Sequence, residues 1–436
     1  MRLLFVVQRY GADVFGGAEA ACRQVAARLA ARGHEVHVVT SCAVSYVDWA
    51  NVYDEGTSDL EGVAVHRLPV ERPRDNELFG PLHGRVINSQ LTPLYLQREW
   101  MRQQGPDLPG LAAWLTANAG GFDVVSFFTY LYNTAYVGLP IAAGLAPTVF
   151  HPTAHDEPPI YLSLFDLLFR LPTAFGFLTE EEAALVARRF RVERPSSVVG
   201  LGIELDRPHD EGAFRRKYGL GDRPYLLYVG RVDPGKGSEE LVDYFVTYKN
   251  RTSNDVALVI VGEQVHPVQP SEDIICTGFV DDHTKDSAMA GCLALVQPSY
   301  YESFSLVLAE AWAMRRPALV QGHCAVLVGQ AYRSEGAIPY TGYAEFEASV
   351  ELLREFPQLR EDLGYRGRRY VTARYSWATV LEHYEHLYSL AVTLFRQATP
   401  SVARVSLGGR DLSELPRDAA EPAARPVPLV SPRSHH

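Results

Sequence analysis

The chain has 436 residues, 47% of them hydrophobic, and a formal net charge of -11; this suits roughly one to three packed domains and argues against nucleic acid as the main partner or a broadly basic membrane-facing surface. No run of about 18 apolar residues suggests a spanning helix, and the apolar start at 1–9 is too short for a signal peptide and lacks a small-residue cleavage site. The five cysteines, Cys22, Cys42, Cys276, Cys292 and Cys324, form no Cys-x-x-Cys pair, so a reduced, cytoplasmic protein without a zinc or redox pair is expected.

Apolar runs alternate with helical patterns along the chain, the signature of parallel α/β architecture. The first strand is expected at 2–8. After it comes a loop with Gly11, Gly16, Gly17 and Glu19, then a helix over 18–32 with Ala21, Cys22, Val25 and Leu29 on one face and Gly33 as its stop. Glycines there let a backbone approach a ligand, and a helix N-terminus favours negative charge. A plain tight turn reads equally well, and the dinucleotide fingerprint is absent.

Further strands are expected at 35–41, 63–69, 123–128, 148–151 and 174–178. His155, with Asp156 and Glu157, follows the 148–151 strand and is a candidate polar contact or acid–base group. A metal set of His151, His155, Asp156 and Glu157 is disfavoured, because Pro152 and the preceding strand oppose the helix that would align the two histidines. Thr179 to Glu182 form a capping box that opens a helix to about residue 189. Aromatic residues are plentiful over 95–114 and 127–136, and core packing explains most of them.

The stretch 191–223 contains Pro195, Gly200, Gly202 and Pro208 and is expected to be the hinge between two halves. A second strand series begins at 225–230 and continues at 256–262, 274–277, 293–297 and 318–321. After its first strand, Gly230 and Arg231 lead through Gly235 to Lys236 and Gly237, just before a helix near 238. Two cations among glycines at a strand end can cradle a diphosphate, and the spacing is not that of a Walker A loop. Asp281 and Asp282 read as a turn or helix cap. Glu302 falls in the loop after the 293–297 strand, and Glu310 about one turn into the next helix. The helix around Glu310 is largely apolar, so its carboxylate is expected to be buried and to need partners. Both acids should face the crevice at the carboxyl ends of the strands. No Ser-centred nucleophile elbow is present. An amphipathic helix is expected at 376–395, and residues 398–436 read as a disordered tail.

These motifs together resemble the retaining glycosyltransferases of family 4. The resemblance covers about residues 1–395. It rests on Gly16-Gly17-Ala18-Glu19, Arg32 to Val36, the His155-Asp156 step, Gly230-Arg231 with Lys236-Gly237, Pro298-Ser299 and the Glu302…Glu310 pair. It implies an α/β fold of the GT-B kind: two Rossmann-like, doubly wound domains facing a central cleft. The acceptor-side domain would span 1–190 with a returning helix at 376–395, the hinge 191–223, and the donor domain 224–375. Arg231 and Lys236 would hold the donor diphosphate, and Glu310 the ribose. Glu302 would touch the transferred sugar, with backbone N–H groups of Phe304, Ser305 and Leu306 beside it. Gly16 and Gly17 would form the loop near the phosphates and the acceptor, and His155 would lie near the sugar. Two departures stand out. Ser303 and Ser305 occupy positions where the family often has glycine, so the loop must avoid a strained φ or bear its cost. The Gly-Gly-x-Pro-Glu type segment is replaced by Gln321 to Val326.

The resemblance implies transfer of a sugar, with retained configuration, from a nucleoside diphosphate sugar of UDP or GDP type, with no other cofactor and no metal. The acceptor could be a saccharide, a lipid-linked saccharide or a small molecule, as in surface polysaccharide or glycoconjugate biosynthesis. A place in the cytoplasm or peripherally at the inner membrane face fits. The competing readings are another GT-B activity, such as a nucleotide-sugar epimerase, and a non-catalytic subunit that binds nucleotide sugar.

Overall fold

Nearly continuous apolar runs make strands that are buried on both faces, which is the condition for parallel sheets. A computed structural model describes residues 1–398 except Phe15 and Gln90. The tail expected at 398–436, with His435 and His436, lies outside the described residues beyond Ala398. The first half contains β1 (Arg2–Val6), β2 (Glu35–Ser41), β3 (Gly56–Leu60), β4 (Val63–Leu68), β5 (Val124–Phe128), β6 (Thr148–His151), β7 (Ala174–Phe177) and β8 (Ser196–Val198). They form an eight-stranded sheet in the order β3-β4-β2-β1-β5-β6-β7-β8. Only β3 runs antiparallel to its neighbour. It is an exposed edge without an apolar pattern, so periodicity does not announce it.

The second half holds β9 (Tyr225–Val229), β10 (Ala257–Val261), β11 (Ile274–Gly278), β12 (Ala294–Gln297), β13 (Ala318–Gln321) and β14 (Ala337–Tyr340). These form a six-stranded sheet in the order β11-β10-β9-β12-β13-β14, with each pair parallel. Each sheet has an apolar core on both of its faces. The strand order reverses between β1 and β5 in one sheet and between β9 and β12 in the other. Such switch points open a crevice at the carboxyl ends of the strands.

The stretch 191–223 is divided between the halves. β8 pairs with β7 in the first sheet, whereas Phe214, on the helix Glu211–Lys217, is buried in the second core. The chain crosses between these two elements. The C-terminal helix, Trp377–Ala398, buries Leu381, Tyr384, Leu387 and Tyr388 with residues of the first sheet. Tyr384 stacks on His151, which Phe128 covers from its other side. Nδ1 of His151 donates to the Gly176 carbonyl at 3.1 Å, and burial lowers its pKa to about 3. His151 is therefore a neutral core residue. Among the described residues no helix is long and apolar enough to cross a membrane.

Candidate active site

The two switch-point crevices face one cavity of about 280 Å³ between the halves. Gln8 follows β1 and Thr129 follows β5 on one wall; Lys236 follows β9 and Glu302 follows β12 on the other. Three helices begin at its surface: Gly17–Ala31, Asn133–Ala142 and Leu306–Ala313. None has a side-chain cap at its N-terminus. Their first N–H groups and dipoles create a region of positive potential, and Lys236 adds a full charge. Backbone strain gathers at the same place. Of eight non-glycine residues at positive φ among the described residues, Thr129, Thr153 and Ser305 line this cavity. Strain of this kind persists where surrounding contacts hold it, and it concentrates at functional sites.

On the second-half wall, Lys236 Nζ donates to Glu302 Oε1 at 2.9 Å. Gln297, at the end of β12, donates to the same oxygen at 3.2 Å and to Ser305 Oγ at 2.8 Å. Ser305 has φ 67° and ψ 81° as the N-cap of Leu306–Ala313, so the loop bears the backbone cost that glycine would avoid. Gly237 is required for a different reason. Its φ is +68°, and a Cβ there would lie 2.4 Å from the Pro298 carbonyl oxygen. That close approach brings the Lys236 loop against the Glu302 loop. The Phe304 ring is buried against Tyr375.

On the first-half wall, His155 Nδ1 lies 3.5 Å from Glu157 Oε1, and Tyr130 donates to the same carboxylate at 3.2 Å. Glu182 anchors this loop. Its buried carboxylate accepts the Ala154 N–H at 2.7 Å and the Leu178 N–H at 2.7 Å. Burial is the main cause that pushes its pKa up to about 7. From the same helix start, Thr179 donates to the Ser303 carbonyl at 3.1 Å and ties the two walls together. Next to Gly17 and Ala18, Glu19 also lines the cavity and is buried with Arg9, which donates to it at 2.5 and 3.0 Å.

The sequence-derived candidates thus divide. Gly17, His155, Lys236, Glu302, Phe304, Ser305 and Leu306 line the cavity. Gly16, Arg231 and Glu310 are not in its lining. Gly16 caps the first helix, where a Cβ would lie 2.4 Å from Glu19 Oε2. Arg231 pairs with Asp233 at 2.5 Å and donates across the halves to the Tyr46 hydroxyl. Glu310 is buried as expected, and its partners are Lys285 at 3.1 Å and Arg207 at 3.1 Å. Any ribose hydroxyl at Glu310 would have to share it with these two cations. Among the described residues no group of three or more metal-ligating side chains gathers. Asp281 is the N-cap of the helix Asp282–Ala290.

Residues 16–202 match the family model "Glycosyl transferase 4-like domain", and residues 210–370 match "Glycosyl transferases group 1". The chain belongs to the GT-B glycosyltransferases of the family 4 type. This glycosyltransferase is 26% identical over 339 residues to the alpha-D-kanosaminyltransferase of Streptomyces kanamyceticus, covering 72% of this chain and 85% of that one. It is 25% identical over 295 residues to a phosphatidyl-myo-inositol mannosyltransferase of Propionibacterium freudenreichii, covering 66% and 74%. Among solved structures it resembles sucrose-phosphate synthase from Thermosynechococcus elongatus, with TM-score 0.67, 18% identity and coverage of 92% of this chain and 100% of that one. It also resembles Anabaena HepE in complex with UDP-glucose, with TM-score 0.62, 15% identity and coverage of 89% and 100%.

Sequence reasoning about this glycosyltransferase missed Gln8, Arg9, Thr129 and Glu182. The strand-end position of Gln8 and the capping box at Glu182 were visible signals. That Gln8 and Thr129 are neighbours depends on β1 lying beside β5, and nothing local in the sequence reports it.

Proposed function

We propose that the protein is a retaining glycosyltransferase that moves a sugar from a UDP- or GDP-type donor to a hydroxyl acceptor in surface polysaccharide or glycoconjugate synthesis. One observation carries this reading: Lys236, paired with Glu302, stands where three uncapped helix N-termini meet between the halves. That arrangement suits a leaving diphosphate, whose growing negative charge is met by fixed donors that need no reorganisation. HepE, the structural relative, holds UDP-glucose.

In this reading the diphosphate takes Lys236 from Glu302, which frees the carboxylate for the transferred sugar as it gains positive charge. Arg231 leaves Tyr46 and Asp233 for the phosphates. The leaving phosphate oxygen accepts the acceptor proton on the same face, so retention needs no protein nucleophile. Glu157 and the Glu182-anchored loop orient His155 toward the sugar. Lys236 and the helix N-termini supply the charge that a metal ion would otherwise bring, so chelator should leave turnover unchanged.

Incubation with a nucleotide-sugar panel and candidate acceptors tests the reading. The new glycosidic bond, read by NMR, should keep the donor's anomeric configuration. Lys236→Ala should lower kcat/KM at least about tenfold, since a charge-assisted hydrogen bond is worth roughly 1.5–3 kcal/mol. An inverted product, or unaltered turnover in the folded variant, would contradict it.

A further inference from the structure

β12 is an apolar strand that ends in a polar residue. Its four residues, Ala294 to Gln297, are all buried, and Gln297 is 5% exposed. A glutamine amide in such a place is costly unless it is paired. Its nitrogen is used twice: Nε2 donates to Ser305 Oγ at 2.8 Å and to Glu302 Oε1 at 3.2 Å. Glu302 is paired with Lys236, and an ionised carboxylate only accepts hydrogen bonds. The amide nitrogen therefore faces Glu302, since the flipped amide would set two acceptors against each other.

Glu302 Oε1 thus has two donors, and they differ in how freely they can leave. Lys236 is a point charge on a flexible stem, with its side chain 38% exposed. Gln297 is buried at the end of a central strand, and its second N–H is tied to Ser305, the N-cap of Leu306–Ala313. Moving it would leave buried polar atoms unpaired. Once a diphosphate takes Lys236, Gln297 is the side-chain donor that stays on Glu302. Among the described residues both side-chain donors to Glu302 take Oε1, which leaves Oε2 for a sugar hydroxyl.

We infer that Gln297 is a positioning residue, which holds the Glu302 carboxylate on the transferred sugar after the diphosphate has recruited Lys236. The inference rests on the glycosyl-transfer reading and divides the labour within it. Lys236 serves the nucleotide part of the donor. Gln297, acting through Glu302, serves the sugar part. A merely structural role would be different: Gln297 would only support Ser305 at its φ of 67°, and its loss would disturb nucleotide and sugar alike.

Calorimetric titration of the full chain with UDP, GDP and a panel of their sugars tests this. The readout is the ratio of nucleotide-sugar affinity to nucleotide affinity. Gln297→Met keeps the length of the side chain and removes both N–H groups. It should lower that ratio at least about fivefold, with nucleotide affinity within about twofold of wild type. Gln297→Glu keeps the shape and sets a second acceptor against Glu302; it should lower the ratio at least as far. Adding Ser305→Gly to Gln297→Met relieves the backbone cost but gives Glu302 no donor, so the loss should persist. A ratio within about twofold of wild type in both single variants would overturn the inference, whatever happens to nucleotide affinity itself. Recovery of the ratio in the double variant would also overturn it, by assigning Gln297 to the Ser305 loop. If neither nucleotide binds the wild type, the proposed function fails and this inference with it.

Discussion

Glu182 shows how one buried carboxylate can serve both fold and site. Its two oxygens each accept a backbone N–H, from Ala154 and from Leu178, and so hold the loop that carries His155. Burial pushes its pKa up to about 7, above that of a carboxyl in an unfolded chain, about 4.3. The folded protein binds the extra proton between these values. This group's contribution to stability is therefore fully present below the unfolded value and is lost as pH rises through about 7. Denaturant unfolding should show stability falling by up to roughly 3 kcal/mol between pH 5 and pH 8 from this source. Glu182→Gln, which cannot ionise, should lose that slope; the same slope in the variant would place the titration on another group. Ser305 gives a different lesson at this scale. The sequence shows serine where the family often has glycine, and the loop nonetheless adopts the left-handed conformation. Gln297 bonded to Ser305 Oγ is the compensation, and only the folded loop reveals it.

At the scale of elements, the helix Glu180–Phe190 is the link between the halves. Arg333, on the helix Ala325–Ser334, forks onto Glu181 at 2.6 and 2.8 Å. Glu180 pairs with Arg333 at 2.9 Å and with Arg374 at 2.8 Å. The close approach depends on Gly329, where a Cβ would lie 1.9 Å from Glu181 Oε1. Glu181→Ala should remove the fork onto Arg333 and lower stability by about 1–2 kcal/mol, read as a reduced Tm, because a partly buried bidentate pair exceeds an exposed one. An unchanged Tm would mean the halves are held by other contacts. The N-cap at Thr179 was legible from sequence, as were most of the buried strands, because apolar runs and caps are local signals; the reciprocal half of the expected capping box is replaced, since Glu182 accepts from Ala154 and Leu178. β3, β8 and β14 were not legible: β3 is exposed with no alternation, β8 is three residues long, and β14 is short, mostly half-buried and contains Pro339.

For the whole molecule, the decisive fact is that two sheets of separate sequence origin turn their switch points toward one cavity. Lys236, Glu302 and His155 could be proposed from sequence because each follows a recognisable strand. The partners that tune them could not. Gln8 and Thr129 come to one cavity through strand order, Lys285 and Arg207 reach Glu310 through tertiary packing, and Tyr46 meets Arg231 only because the halves face each other. The most direct measurement is calorimetric titration of UDP and GDP into the wild-type protein and into Lys236→Ala. One nucleotide is expected to bind the wild type, with affinity at least about tenfold weaker in the variant. Binding of neither nucleotide, or equal affinity in both proteins, would contradict a diphosphate site at Lys236.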